Sequence, residues 1–224
     1  MKLKVKLDRH HLIAYAISLV LVVLIGYKLW RYFTPDSKEA VLQESPEPRP
    51  LDIVFGSDTA PLPVYMYASY SCTFCRQFFT DVFPMLKKEF LDNGRVKLVM
   101  RLLENTNHPD ALNSAKTAVC INRYGYFDKL HELLLTDSRV IYTPEFRDMV
   151  NDFTARDELV AECILGGQAD EYILQIRNEF RKFGLSGTPT FIINRNVYRG
   201  YRSYQEFRKI ILHHMETEDR KDIN

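Results

Sequence analysis

The sequence predicts an α/β fold interrupted by a block of helices and preceded by one apolar helix able to cross a membrane. Three observations carry this. Ser71-Cys72-Thr73-Phe74-Cys75 lies between an apolar run, Leu62 to Tyr70, and a helix-like run from Thr73 onward. A stretch from His108 to about Phe183 reads as helices alone, after which strand-like sequence resumes at Phe191. Residues 12 to 27 carry no charge.

The totals set bounds. A length of 224 residues suits one core-bearing domain with an appendage or insertion. Apolar residues make up 46% and charged residues 26%, enough for an ordinary core. Lys+Arg at 30 against Asp+Glu at 29 gives no basic excess to suggest nucleic acid and no acidic tail. The cysteines are Cys72, Cys75, Cys120 and Cys163.

With Leu29 and Trp30, the N-terminal stretch approaches the ~20 residues that span a bilayer. Lys28 can snorkel, and Trp30, Tyr32 and Phe33 form an aromatic anchor. Lys2, Lys4, Lys6 and Arg9 before the span favour a cytoplasmic N-terminus and an exported remainder. The rival is a cleaved signal peptide, but no small-x-small site follows the apolar region. Either way the rest of the chain meets an oxidising compartment, where disulfides persist. Residues 1–33 are thus the cytoplasmic N-terminus and anchor. Residues 34–50, with Pro35, Pro46, Pro48 and Pro50 among charges, are expected to be a flexible linker, the rival being an ordered arm on the domain.

Leu51 to Phe55 is β-like and is stopped at Gly56-Ser57-Asp58. Pro61 and Pro63 mark a turn, and Val64 to Ala68 is a buried strand leading into the cysteines. After Cys72, Phe79, Phe83 and Leu86 recur at helical spacing, with a kink expected at Pro84 and an end at Asn93-Gly94. Val96 to Leu103 is a strand. Helices follow at Pro109 to Asn122, Tyr126 to Thr136, Pro144 to Phe153, Asp157 to Leu165 and Ala169 to Phe183, with turns at Asp137-Ser138, Asn151-Asp152 and Gly166-Gly167. Phe191 to Ile193 and Val197 to Arg199 are strands about a turn. A last amphipathic helix runs from Ser203 to about His214 behind a capping box, Ser203-Tyr204-Gln205-Glu206.

The CxxC context points to redox chemistry. Unpaired N–H groups and the positive end of the dipole at a helix start favour an anion, and the thiolate is the form that attacks a disulfide. Cys72 is the candidate nucleophile and Cys75, one turn on, the resolving thiol. The rivals are a static disulfide, half a zinc site, or a copper-binding module, since soft thiolates suit Cu(I). No third ligand is evident near the pair, so no metal or other cofactor is expected. His213-His214, at a helix end, would complement the dipole.

This order of elements, with Tyr67-Ala-Ser-Tyr-Ser-Cys-Thr-Phe-Cys75 and Phe183-Gly-Leu-Ser-Gly-Thr-Pro-Thr-Phe-Ile-Ile-Asn194, resembles the DsbA-like thiol-disulfide oxidoreductases. The entry segment Asp52 to Pro61 adds to the likeness, which covers roughly Leu51 to His214. The resemblance implies a thioredoxin-like fold over 51–104 and 183–215, an inserted helical domain over 105–182 and a tail over 216–224. It implies that Pro189 is a cis-proline facing the cysteines, leaving the backbone of Thr188 free to pair with an extended substrate. Phe74 should be exposed beside Cys72 and, with Thr188, contact substrate. Cys120 and Cys163, on two helices of the insert, are expected to pair as a structural disulfide, the rival being two separate buried thiols.

Two departures bear on activity. The residues between the cysteines are Thr73-Phe74, where many DsbA-like oxidases have Pro-His, so thiolate stabilisation falls mainly to the helix terminus. Met66 stands six positions before Cys72, where an acid is common. The expected function is disulfide exchange with exported, cysteine-bearing proteins on the periplasmic side of a bacterial inner membrane, as an oxidase reset by a membrane redox partner. Isomerase or reductase activity of the same fold is the alternative.

Overall fold

The computed structural model describes residues 15, 17–26, 28, 40–104, 109–124 and 127–219. Two compact units divide the chain at Glu39 and Ala40. In the first, residues 17–26 are helical and exposed. Among the described residues no helix is long and apolar enough to cross a membrane; both ends of the expected span, Leu12 to Ala14 and Leu29-Trp30, and the basic residues before it lie outside that set.

The second unit is built on a five-stranded sheet of order β1-β3-β2-β4-β5. Its strands are β1 (Ile53–Phe55), β2 (Leu62–Ala68), β3 (Val96–Leu102), β4 (Thr190–Ile193) and β5 (Asn196–Arg199). β2 and β3 are parallel, with Ala68 opposite Leu102; the other pairs are antiparallel. β2 is flanked on both sides, and all its residues except Pro63 are buried, which is why it reads as a near-continuous apolar run. Pro63 lies inside this strand, not in a turn. Pairing with β4 begins only at Val64, so its missing N–H interrupts no ladder on that side.

Between β2 and β3 the chain is helical from Thr73 to Leu91. α1 (Thr73–Gln77) and α2 (Phe83–Leu86) alternate with π-helical turns at Phe78–Val82 and Lys87–Leu91. The expected kink at Pro84 is absorbed here: Phe83 N–H bonds to the Phe78 carbonyl five residues back, and Pro84 falls in the first turn of α2, where no N–H is required. One face of this run packs Phe78 against Phe191 and Phe207, with ring centroids 5.0 and 5.5 Å apart.

Among the described residues, five helices are inserted between β3 and β4: α3 (Pro109–Tyr124), α4 (Phe127–Thr136), α5 (Pro144–Arg156), α6 (Glu158–Leu165) and α7 (Gln168–Lys182). The expected start of α4 at Tyr126 lies outside the described residues. Asn151-Asp152 is not a turn, since α5 continues to Arg156, and a 3-10 turn at Ser138–Tyr142 precedes α5. α8 (Tyr204–Asp219) closes the fold. Ser203 and Glu206 form the expected reciprocal cap, Ser203 N–H donating to Glu206 Oε2 at 3.0 Å. Because α8 runs on to Asp219, His213-His214 is not at its end and residues 216–219 are not tail. His214 is buried beside Phe207 and Ile211, with Nε2 2.7 Å from the Tyr198 hydroxyl.

Residues 40–50 are an ordered arm rather than a free linker. Leu42 N–H bonds to Arg195 O at 2.8 Å and Val197 N–H to Ala40 O at 2.9 Å, with a bridge between Val41 and Asn196. Leu42 and Pro46 are buried. Farther along, the arm meets Arg101 of β3, which is fully buried. Its guanidinium donates to both Asp52 oxygens at 2.9 and 2.8 Å, to Glu179 of α7 at 2.5 Å, and to the Glu47 carbonyl. Tyr172 O–H donates to Asp52, Tyr67 O–H to Glu179, and Arg49 reaches Glu179 at 3.0 Å. Polar arm residues that look disordered in sequence thus have buried partners waiting for them.

Candidate active site

Cys72 is the N-cap of α1. Its backbone is extended, at φ −83° and ψ 116°, so its side chain turns back over the helix start. The Sγ accepts from Cys75 N–H at 3.4 Å and donates to the Thr188 carbonyl at 3.1 Å. Both cysteines carry free thiols, Cys72 half-buried and Cys75 buried. The Thr188–Pro189 bond is cis, and Pro189 is buried at the head of β4. Phe74 is 58% exposed beside the pair.

The two sulfurs have opposite electrostatic settings. For Cys72, burial works against ionisation. Hydrogen bonds from the Thr188 side chain, the Cys75 thiol and the N–H groups of Cys75 and Phe74 outweigh it and lower the pKa. For Cys75, burial dominates and raises the pKa well above the usual thiol range, and Cys72 adds to the shift. Ionisation is therefore easier at Cys72 than at Cys75.

Behind the loop that carries Cys72 lies a buried carboxyl, Glu104, which accepts from Ser69 Oγ, Tyr70 N–H and Ser71 Oγ. Burial raises its pKa, and those three bonds partly offset the rise. His131 of α4 supports the same loop from the insert: its Nδ1 is 3.2 Å from the Tyr70 hydroxyl, and its ring packs on Phe79 and Phe55. Met66 is plain core.

Cys72, Cys75, Thr188, Pro189 and Phe74 meet in one place, drawn from α1 and the turn before β4. Cys120 of α3 and Cys163 of α6 do not join them; they form a disulfide inside the insert, with Cα atoms 5.8 Å apart. Sequence reading missed Glu104 and His131. A signal existed for Glu104: parallel neighbours end at the same sheet edge, so the residues just past β3 must lie beside those just past β2. His131 had no comparable signal. Among the described residues no group of three or more His, Cys, Asp or Glu side chains is placed to hold a metal ion.

Comparison with known proteins agrees with this geometry. A family model described as Thioredoxin matches residues 49–212. Disulfide bond formation protein D of Bacillus subtilis (strain 168) is 24% identical over 168 residues, 70% of this chain and 74% of that protein. A provisionally named protein-disulfide oxidoreductase of Rickettsia prowazekii (strain Madrid E) is 25% identical over 204 residues, 84% of this chain and 73% of its own. Among solved structures, Wolbachia pipientis α-DsbA1 superposes with a TM-score of 0.62 at 20% identity, over 78% of this chain and 96% of that one.

Proposed function

Because the chain belongs to this thioredoxin family, in its DsbA-like branch, and is a thiol-disulfide oxidoreductase, we propose that it oxidises exported proteins by passing them the Cys72–Cys75 disulfide. The observation that carries the exchange chemistry is the asymmetry of the two thiols, Cys72 at the helix start and Cys75 buried behind it. A substrate thiolate attacks Cys72 Sγ of the oxidised pair, the Cys72–Cys75 bond breaks, and Cys75 takes up a proton. A second substrate thiolate attacks the substrate sulfur of the mixed disulfide and expels Cys72 as thiolate. The substrate has lost two electrons and the enzyme holds them as a dithiol. Stabilising the Cys72 thiolate speeds that last departure and favours the reduced enzyme, which makes the disulfide an oxidant.

Phe74 and the Thr188 backbone flank the sulfur and supply an apolar contact and an extended-chain contact for polypeptide substrate. Residues 12–30 anchor the chain with its catalytic unit outside the cytoplasm, and a membrane redox partner withdraws the two electrons. The Cys120–Cys163 disulfide fits such an oxidising compartment.

The test is the equilibrium of the Cys72–Cys75 couple with glutathione in the full chain. A potential toward about −120 mV is expected of an oxidase; one near about −270 mV would reassign the chain to reduction. Cys72→Ser should abolish oxidative refolding of a reduced substrate protein.

A further inference from the structure

We propose that Glu104 is a positioning residue for the redox pair: its carboxyl gathers the Ser69-Tyr70-Ser71 loop and so fixes where Cys72 enters α1. The inference rests on the oxidoreductase reading and adds a residue to it.

Glu104 lies two residues past β3, and the loop begins one residue past β2. The two strands are parallel, and Leu103 N–H carries their pairing onward by bonding to Ala68 O at 2.7 Å. The carboxyl, 4% exposed, then meets three consecutive loop residues. Tyr70 N–H donates to Oε1 at 2.5 Å; Ser69 Oγ and Ser71 Oγ donate to Oε2 at 2.8 and 3.3 Å.

From this hub the bonding runs on to both cysteines, to the backbone of Cys72 and the thiol of Cys75. Ser69 Oγ accepts from Ser71 N–H at 3.1 Å, and Ser69 O accepts from Cys72 N–H at 3.2 Å. The Ser69 backbone also bonds to the Cys75 thiol. Remove the carboxyl and a buried backbone N–H and a part-buried hydroxyl lose their acceptor, so the loop must rearrange to find another.

The action is geometric. The leading causes of both cysteine shifts are burial and hydrogen bonds from neighbouring groups, not the Glu104 charge. A negative charge near Cys72 would oppose its ionisation, whereas Cys72 is shifted toward the thiolate. The titratable group that feels Glu104 is the buried Tyr70 phenol.

The experiment compares wild type, E104Q and E104A as full chains in detergent. It reads the Cys72 pKa from thiolate absorbance and the dithiol equilibrium against glutathione. E104A should raise the Cys72 pKa and shift the equilibrium about tenfold toward the disulfide, about 30 mV for two electrons. E104Q keeps an acceptor oxygen without the charge and should recover most of that shift. Unchanged values in E104A overturn the proposal, as do equal shifts in E104Q and E104A, which would mean charge rather than position. Should E104A fail to fold, the S69A/S71A variant removes two of the three donors; it should move both values in the same direction, and no movement overturns the proposal. A wild-type chain with no reversible couple would sink the oxidoreductase reading instead, and the Cys72 pKa comparison would still judge Glu104.

Discussion

His131 is the residue whose surroundings most change its chemistry. Its imidazole sits among Phe55, Phe79 and Tyr70, and burial lowers its pKa to about 3. In the unfolded chain it titrates near 6.5. Between those values the unfolded state binds a proton that the folded state refuses, so stability falls as pH drops from about 6.5 toward 3. The loss approaches about 1.4 kcal/mol per pH unit from this group alone. Glu104 has the opposite sign: its raised pKa means that the folded state holds the extra proton, and its contribution declines as pH rises above the ordinary carboxyl range. His131→Phe should therefore flatten the acid side of the stability profile, measured by urea unfolding across that pH range. The legibility of these residues differs for a physical reason. Cys72 and Cys75 share one helical turn, so their partnership is written in their spacing. His131 and Glu104 act on the same loop from distant parts of the chain, and alone each reads as an ordinary polar residue.

At the scale of elements, the disulfide joins α3 to α6 across a sequence separation of 43 residues. In the chain-entropy model a loop of that size stabilises by about 4 kcal/mol. The C120S/C163S variant should lose a large part of that in urea unfolding, with the loss felt first by the insert. Helices with clear apolar periodicity and capping signals were legible to within a few residues, and so were the strands of the sheet. The differences are instructive. Pro84 signals a break only while the helix is assumed to keep α geometry; a π turn before it removes the conflict. Asn151-Asp152 resembles a turn by composition, yet both are exposed on α5, where polar side chains do not disturb the backbone ladder. The hairpin after β4 turns through positive φ at Asn194 and Arg195, +46° and +70°, and Arg195 gives no local hint of it.

For the whole molecule, the sheet, the insert and the arm are tied at one buried guanidinium. Arg101 binds Asp52 beside β1, Glu179 on α7 and the Glu47 carbonyl of the arm. Arg101→Met should destabilise by about 3–5 kcal/mol in urea unfolding, because two buried carboxylates lose their counter-charge. Adding Asp52→Asn and Glu179→Gln should restore much of it. The order of sheet and insert was legible, since it follows from the order of strand-like and helix-like segments. The knot was not: its members are spread from residue 47 to residue 179, and each resembles a surface charge until the fold brings them together. The arm has a second effect, on association. β5 is an outermost strand, and Ala40 to Leu42 occupy backbone groups of Arg195 and Val197 along it. A fragment begun at Leu51 would leave those groups open to a neighbouring chain, inviting strand-to-strand aggregation. The proline-rich approach to the domain therefore serves as its edge guard.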